Sequence, residues 1–440
     1  MLPTIDRMTK RIPWRSAMKA SPARTRRWVT AALSVLALTA VAACGGNNGS
    51  SGSSSGSADK ADLTWSFWVA GAEDQAAWQK VADQAHTDHA GITVKLQGAP
   101  WDSYWSKIGT TLAGGKAPCI IGMQSLRMAS YAGAMLPLDD LIKKYGLKPE
   151  DFDKPIMDGL KADGKQIAIP YDSGPMVIFY NKDMFKAAGV PDPKPGWTMD
   201  EFKAAAKKLT AAGKTGLVTT PGDLGTMSWI RTMTGAEPLA DGKLNFTDSK
   251  FEQGFSQYAD FVKTDKIAPQ VPGGNPDFET QQFTGGKAAM QLNGPWSLID
   301  TKGKVKFNLG IAPIPAGPDG SKTYTAGSGF GISRSCKTPD AAFQAIMSMT
   351  SEKPLTTLAQ AGRAYPARTV AHPAWFTAAN IDGAKETIDY ASEHSIPLVT
   401  SKNWVQVADL LNRFGTQALN GEIPPDQALK TIQDQAGAGS

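Results

Sequence analysis

The chain has 440 residues, a length too great for one simple hydrophobic core, so we expect two or three lobes. Hydrophobic residues make up 41% of it and 12 residues are tryptophan, which excludes an intrinsically disordered protein. The formal net charge of +5 arises at the N-terminus, because residues 1–43 hold eight basic and one acidic side chain and the remainder has a net charge of −2. The charge therefore gives no support to a nucleic-acid-binding function.

The first 43 residues have the features of an export signal. A basic region with three arginines precedes an apolar stretch of small residues at 28–43, which ends in Val-Ala-Ala-Cys-Gly. This ending resembles a bacterial lipobox, so we expect lipidation at Cys44, with a plain secretory signal as the alternative. The segment after it contains only Gly, Ser and Asn up to residue 57, the composition of a flexible tether. We therefore expect a signal peptide at 1–43, a lipidated cysteine and tether at 44–60, and a protein held at the outer face of the cell membrane.

Alternating strands and helices predict the first lobe. Alternating or short apolar runs indicate strands at 63–69, 92–96 and 119–123, and apolar residues at helical spacing indicate helices at 73–86 and 102–113. This β-α-β-α-β order is typical of a doubly wound α/β lobe, in which ligands bind at the carboxyl ends of the strands.

A second lobe is predicted to begin near Asp172, between two extended runs at 166–172 and 176–180. A capping box of Thr198 and Glu201 marks the start of one of its helices. The remaining pattern predicts a strand at 216–219, a helix at 251–263, extended runs at 307–315 and 323–333, and helices at 341–349, 404–420 and 425–435.

Trp296 is the first candidate for a ligand contact. A short helix at 277–283 ends at two glycines, a strand follows at 288–292, and Asn-Gly-Pro then leads into Trp296. The tryptophan is thus predicted to project from a strand-to-helix turn. A flat aromatic side chain there suits the apolar face of a sugar ring, although packing in the core is the alternative.

Several short motifs together resemble a known family. They are Gly-Gly-Lys-Ala-Pro at 114–118, Leu-Pro-Leu-Asp-Asp-Leu at 136–141, Ile-Pro-Tyr-Asp at 169–172, Phe-Tyr-Asn-Lys-Asp at 179–183, Gly-Trp-Thr-Met-Asp-Glu-Phe at 196–202, Gly-Lys-Ala-Ala-Met at 286–290, Asn-Gly-Pro-Trp at 293–296 and Ala-Pro-Ile-Pro-Ala-Gly-Pro at 312–318. In number and order they resemble the extracellular solute-binding proteins of carbohydrate ABC transporters, the maltose-binding-protein-like group. The resemblance covers residues 63–436.

The resemblance implies a two-lobe α/β fold of the type II periplasmic-binding-protein class, with discontinuous lobes joined by hinge crossovers around a ligand cleft. Lobe one would comprise 61–171 and 328–365, and lobe two would comprise 172–327 and 366–440. A monomer without cofactor or catalysis would capture a sugar and present it, in the closed form, to an ABC permease.

Aromatic and planar polar side chains are the candidates for the cleft, because sugars combine apolar faces with hydroxyl edges. By resemblance or by position after a strand, the aromatic candidates are Trp68, Trp229, Trp296 and Trp404. The polar candidates are Gln124, Arg127, Asp172, Asn293, Ser328 and Arg363. For each of them, core packing or a surface or hinge hydrogen bond is the alternative.

The resemblance also implies a disulfide. Cys119 stands where the family usually has Asp after Gly-Lys-Ala-Pro, and in this fold its strand lies antiparallel to the strand that returns from the hinge and ends near Cys336. We expect a Cys119–Cys336 bond within lobe one, as an exported protein permits.

The sequence gives little support to a phosphate-binding loop or a metal site. The spacing Gly159-x4-Gly-Lys matches a phosphate loop, but Gln166 occupies the position of the magnesium-binding Ser or Thr. His86 and His89 lack further metal ligands nearby in the sequence, so no metal site is expected. A secreted carbohydrate-active hydrolase stays open, because the sequence alone does not exclude a carboxylate pair. The same fold with a polyol, glycerol phosphate or peptide ligand stays open as well.

Overall fold

The computed structural model describes residues 60–210, 213–273, 275 and 277–437. The predicted signal peptide, lipidated Cys44 and almost all of the tether lie outside this part of the chain. None of the helices within the described ranges is both long and apolar enough to cross a membrane.

The first passage of the chain forms most of lobe one, the body around the larger sheet. Its elements are β1 (Ala61–Trp68), α1 (Ala72–Asp88), β2 (Ile92–Ala99), α2 (Trp101–Ala113), β3 (Ile120–Gln124), α3 (Met128–Tyr131), α4 (Asp139–Tyr145), α5 (Lys154–Gly159), β4 (Lys161–Ala162), β5 (Lys165–Gln166) and β6 (Ala168–Asp172).

The second passage forms most of lobe two, the body around a three-stranded sheet. Its elements are β7 (Val177–Asn181), α6 (Lys182–Ala187), α7 (Met199–Leu209), α8 (Asp223–Thr234), β8 (Leu239–Ala240), β9 (Lys243–Leu244), α9 (Ser249–Lys263), α10 (Phe278–Thr284), β10 (Met290–Asn293), α11 (Leu298–Lys304), β11 (Leu309–Pro313) and β12 (Thr323–Thr325).

The chain then returns to lobe one with β13 (Ser328–Ile332), α12 (Pro339–Met349) and α13 (Glu352–Gln360). It ends with α14 (His372–Ala379), α15 (Ala384–Glu393), β14 (Ser395–Pro397), α16 (Trp404–Leu410), α17 (Thr416–Leu419) and α18 (Pro425–Gly437). A π-helical turn, Leu411–Gly415, interrupts the single helix predicted at 404–420.

The lobe-one sheet has the strand order β2-β1-β3-β13-β6. Strand β1 runs parallel to β2 and β3, whereas β13 runs antiparallel to both β3 and β6. The carboxyl ends of β2, β1, β3 and β6 therefore meet at one edge of the sheet, together with the start of β13. We call this edge the cleft edge.

The lobe-two sheet has the order β10-β7-β11, with β7 antiparallel to both neighbours. Successive side chains of β7 face two separate cores on opposite sides of the sheet. Val177 and Phe179 pack on one side, and Ile178 and Tyr180 pack on the other. The strand predicted at 216–219 is not formed as a continuous strand. Only single bridges occur there, from Thr215 to Ala288 and from Val218 to Gln291.

Three neighbouring segments connect the lobes. Pro175 bridges Thr325, and the Ser173 N–H donates to the Tyr365 carbonyl at 3.0 Å. Gly174 lies against the segment that carries Trp296, because a Cβ atom on it would be 2.2 Å from Cγ of Pro295. Only glycine permits this approach of the hinge to lobe two.

The Cys119–Cys336 disulfide is present, with 4.6 Å between the Cα atoms and a sequence separation of 217. It joins the start of β3 to the chain just beyond β13, at the end of the sheet opposite the cleft edge. The expected pairing and the expected fold class are both confirmed.

Candidate functional site

A cavity of about 680 Å³ lies between the two sheets. This volume is within the range usual for small-molecule sites. Its lining includes four of the ten side chains that the sequence predicts as ligand contacts. The lining residues are Trp68, Asp74, Trp78, Tyr171, Asp172, Trp296, Ser297, Ile299, Asp300, Gly303, Lys304, Ala361, Gly362 and Arg363.

Trp68 and Trp296 contribute aromatic surface from different lobes. Trp68 is the last residue of β1, and Trp296 lies in a short 3-10 turn, Pro295–Ser297, that follows β10. Both side chains are half-buried. Gly294 is required beside Trp296, since a Cβ atom there would be 2.1 Å from the indole ring. Asn293 stabilises the same turn, because its Oδ1 accepts from the Gly294 N–H at 2.8 Å, and its side chain is not part of the lining.

Asp172 is the buried carboxyl group of the cavity. It ends β6, and its Oδ1 accepts a hydrogen bond from the Ser328 N–H at 2.5 Å. Burial raises the pKa of Asp172 to about 7, although the hydrogen bonds from Ser328 act in the opposite direction. Asp172 is thus held where the hinge, the cleft edge and the cavity meet. Ser328 lies beside it, where it supports the carboxylate.

The two cationic side chains of the lining are both paired with carboxylates. Arg363 forms an ion pair with Asp74, which also accepts from the Ala70 N–H at 2.9 Å. The Lys304 Nζ lies 2.6 Å from the Asp300 carboxylate. Asp172 has no such cationic partner among the lining residues. The lining therefore carries no net positive charge that would favour an anionic ligand.

Arg127 and Gln124 lie at the cleft edge beyond the cavity. Arg127 Nη1 donates to Gln124 Oε1, and the guanidinium lies over the rings of Trp101 and Trp105, at 5.0 and 4.7 Å from their centroids. Burial lowers the pKa of Arg127, whereas the charges of Asp223 and Asp409 act against that shift. Those two carboxylates belong to lobe two, so Arg127 faces across the cleft.

Trp229 and Trp404, the other two predicted aromatic contacts, lie inside lobe two. Trp229 is fully buried and packs against Phe202 and Phe261, with ring centroids at 5.1 and 5.2 Å. Trp404 is 1% exposed, and its Nε1–H donates to Asp223 Oδ2 at 3.0 Å. Neither indole has a free face for a ligand, so the prediction for both is corrected to core packing.

Asp74 and Trp101 also belong to this region, although neither is among the side chains predicted from the sequence. Asp74 is a lining residue, and the sequence signal was weak because its partner Arg363 is 289 residues away. Trp101 is exposed beside Trp68, with ring centroids 5.1 Å apart. A usable signal existed for Trp101, because it follows Pro100 directly after a strand, much as Trp296 follows Pro295.

Comparisons with known proteins agree with this architecture. The family model described as "Bacterial extracellular solute-binding protein" matches residues 70–354. The sn-glycerol-3-phosphate-binding periplasmic protein UgpB of Brucella abortus is 31% identical over 209 residues, covering 43% of this chain and 46% of the relative. The match therefore spans about half the length of that relative.

Solved structures resemble almost the whole described body. The ABC substrate-binding protein Lmo0181 of Listeria monocytogenes, in complex with cycloalternan, has a TM-score of 0.77 at 23% identity, covering 87% of this chain and 99% of that one. Maltose-bound MalE3 of T. maritima has a TM-score of 0.70 at 20% identity, covering 86% and 100%. These similarities establish the fold.

Proposed function

Because the chain belongs to the family of bacterial extracellular solute-binding proteins, we propose that it binds a neutral carbohydrate in the cavity between its lobes and delivers it to an ABC importer. The single observation that carries this proposal is the composition of the cavity. Tryptophans from both lobes flank a buried carboxyl group, and the cationic side chains are already paired with carboxylates.

The aromatic and polar groups match the two kinds of surface on a sugar. Trp68 and Trp296 offer half-buried indole faces to the apolar C–H face of a pyranose ring. Asp172, which already accepts from the Ser328 N–H, has further hydrogen-bonding capacity to offer to a sugar hydroxyl. Solved neighbours whose names include cycloalternan or maltose support a saccharide as the ligand.

The charge of the lining favours a neutral ligand over a phosphorylated one. The Brucella relative is named for sn-glycerol 3-phosphate, so this ligand is the second candidate. A phosphate group needs cationic or N–H partners to replace its hydration. The lining holds three carboxyl groups against the two cationic side chains Arg363 and Lys304, so a phosphate would meet no net positive charge there. A neutral polyhydroxylated ligand requires no such charge.

The cellular setting follows from the family and the N-terminal sequence. We propose that the mature protein is a monomer, lipid-anchored through Cys44 at the outer face of the cell membrane, and that its closed form is recognised by the membrane subunits of the permease. We further propose that it binds its ligand without converting it, in contrast to a hydrolase. No cofactor enters this proposal.

Isothermal titration of the purified protein tests the ligand class. The panel contains mono- and oligosaccharides, polyols, sn-glycerol 3-phosphate and short peptides. We expect saturable binding of at least one neutral saccharide and no binding of the phosphate. Each bound saccharide is then incubated overnight with the protein and recovered intact by chromatography. Tight binding of sn-glycerol 3-phosphate alone, or formation of a sugar product, would contradict the proposal.

Two variants connect the binding signal to the cavity. Trp296→Ala removes one indole face and is expected to lower the affinity for the bound saccharide at least 10-fold, or about 1.4 kcal/mol. Tyr390→Ala is the matched control, because Tyr390 is also half-buried but is not a lining residue. Equal affinity losses in the two variants would place the ligand elsewhere.

A further inference from the structure

We propose that Trp101 forms a second sugar-stacking surface beyond Trp68, so that the cleft accepts a ligand of at least two sugar residues. This inference rests on the proposed function and concerns the length of the saccharide. It assigns a specificity-determining role to a side chain that does not line the cavity itself.

The exposure of Trp101 is the first observation. Of the large hydrophobic side chains in the described ranges, four are markedly exposed, namely Trp101, Val370, Ile396 and Val399. Trp101 is the only aromatic residue among these four, with 38% of its surface exposed. Scattered exposed aliphatic residues are normal in proteins, but an open indole next to a cavity offers a binding surface.

The strand register places Trp101 next to Trp68. Strands β1 and β2 are parallel neighbours, and Trp68 pairs with Ala99 at their carboxyl ends. Trp101 follows Ala99 by two residues and begins α2, so both indoles emerge from the same edge of the sheet. Their ring centroids lie 5.1 Å apart with an interplanar angle of 84°. Trp101 therefore extends the aromatic surface by one strand.

Candidate binding groups follow one another along the whole cleft edge. In sheet order, β2 leads to Trp101, β1 ends at Trp68, β3 ends at Gln124, β13 starts at Ser328 and β6 ends at Asp172. Neighbouring strands are about 4.8 Å apart, so the four steps from β2 to β6 span about 19 Å. Such a row is longer than one pyranose ring. Trp68 and Asp172 line the cavity, whereas Gln124 and Ser328 lie at the same edge outside its lining, and Trp101 continues the row outwards from Trp68.

Polar groups accompany the second aromatic surface. The Arg127 guanidinium lies over Trp101 and is held by Gln124, and two carboxylates of lobe two, Asp223 and Asp409, act on its charge. An aromatic plate next to planar donors and acceptors is the combination that a sugar ring requires. A sugar residue beside Trp101 would thus find stacking and hydrogen-bonding partners from lobe one.

Affinity measured against saccharide length tests the inference. The wild-type protein, Trp101→Ala, Trp101→Phe and Trp296→Ala are titrated with the mono-, di- and trisaccharide of the sugar series that the wild-type protein binds. We expect Trp101→Ala to weaken binding of the di- and trisaccharide at least 10-fold and of the monosaccharide less than 2-fold. Trp101→Phe keeps a flat ring and should restore most of the loss. Trp296→Ala should weaken all three.

The controls separate a local effect from a folding defect. Val399→Ala, at a side chain that is 67% exposed and outside the lining, should leave every affinity unchanged. Thermal melting should show that Trp101→Ala still unfolds cooperatively, with only a small fall in the midpoint, because Trp101 is partly exposed and packs against Trp68 and Trp105. This inference is overturned, and the proposed function is not, if Trp101→Ala weakens binding of the mono- and disaccharide equally or weakens binding of neither. If the wild-type protein binds no saccharide, the proposed function fails as well.

Discussion

The cleft edge of lobe one and the interior of lobe two use tryptophan in opposite ways. At the cleft edge, Trp68 and Trp101 keep part of their surface open and contact each other and Trp105. Inside lobe two, Trp229 and Trp404 are enclosed by aromatic and aliphatic side chains. The same residue type therefore keeps an open surface in one region and fills a core in the other.

The position within the secondary structure accounts for the difference. Trp68, Trp101 and Trp296 each lie within three residues of the end of a strand, where the backbone turns and a side chain can project beyond the sheet. Trp229 lies in the middle of α8, and Trp404 begins α16 but turns toward the core. A tryptophan just after a strand is thus the better candidate for a ligand contact in this fold.

The largest effect that would test the comparison is the loss of Trp229. Trp229→Ala should lower the free energy of unfolding by about 3–5 kcal/mol, because it empties a fully enclosed site between Phe202 and Phe261. Urea denaturation followed by circular dichroism measures this. Trp296→Ala should lose far less stability, since its indole is only half-buried.

Ligand affinity completes that test. Trp229→Phe keeps most of the volume and should fold even if the alanine variant does not. Its affinity for the saccharide should equal that of wild type, whereas Trp296→Ala should lose affinity. An affinity loss in Trp229→Phe with unchanged stability would show that Trp229 belongs to the binding site after all.

The disulfide offers a second way to separate stability from binding. The double variant Cys119→Ser/Cys336→Ser should lose about 2–4 kcal/mol of stability, because the bond closes a long loop in the unfolded chain. Its affinity should be unchanged, since the bond lies at the end of β3 opposite Gln124. Dithiothreitol should destabilise the wild type to the same extent and leave the double variant unaffected. A large affinity loss would argue against the separation of the two ends of the sheet.

The sequence alone predicts those helices and strands whose apolar residues recur at a regular spacing. The strands and helices of lobe one follow their apolar periodicity, and the family resemblance placed the two cysteines side by side. Trp68, Asp172, Trp296 and Arg363 were all predicted as cleft residues and all line one cavity. Whether they bind the ligand stays a prediction.

Other features depend on contacts that no local pattern contains. Helix α8 is buried on every side from Thr226 to Met233, so its periodicity does not show which face meets the cleft, and Trp229 was misplaced. The segment 216–219 has strand-like composition but only isolated bridges, since its pairing depends on how it meets β10. The ion pair of Asp74 with Arg363 joins distant parts of the chain. Each of these is a tertiary effect.

A smaller effect concerns the hydrogen bond that holds Trp404 inside lobe two. Asp223→Ala removes the acceptor of the Trp404 Nε1–H and leaves a buried donor unpaired, which should cost about 1–3 kcal/mol. Thermal or urea unfolding measures the loss, and Asp223→Asn, which retains an acceptor oxygen, should recover most of it. Full stability of Asp223→Ala would indicate that water replaces the carboxylate, and that Trp404 is less enclosed than the comparison requires.

The remaining effect concerns pH and returns to the cleft edge. Asp172 has its pKa raised to about 7 by burial, so between about pH 4 and pH 7 the folded protein retains a proton that the unfolded chain has released. Stability therefore falls as pH rises through this window and does not change further through this group above it. Glu279, with its pKa raised to about 8 by burial, adds to the same trend.

Asp172→Asn isolates the contribution of the cleft-edge carboxyl group. The amide keeps an oxygen that can accept from the Ser328 N–H, but it has no charge to bury. The fall in the free energy of unfolding between pH 4.5 and pH 6.5 should flatten by up to about 1.4 kcal/mol per pH unit, as urea titrations at several pH values would show. Glu279→Gln, in lobe two, should also flatten the fall in this window, and it should in addition remove the remaining fall between about pH 7 and pH 8, which Asp172→Asn leaves in place. If Asp172→Asn and wild type show the same pH dependence, the carboxyl group is ionised in the folded protein, and the cleft edge is more open to water than its burial implies.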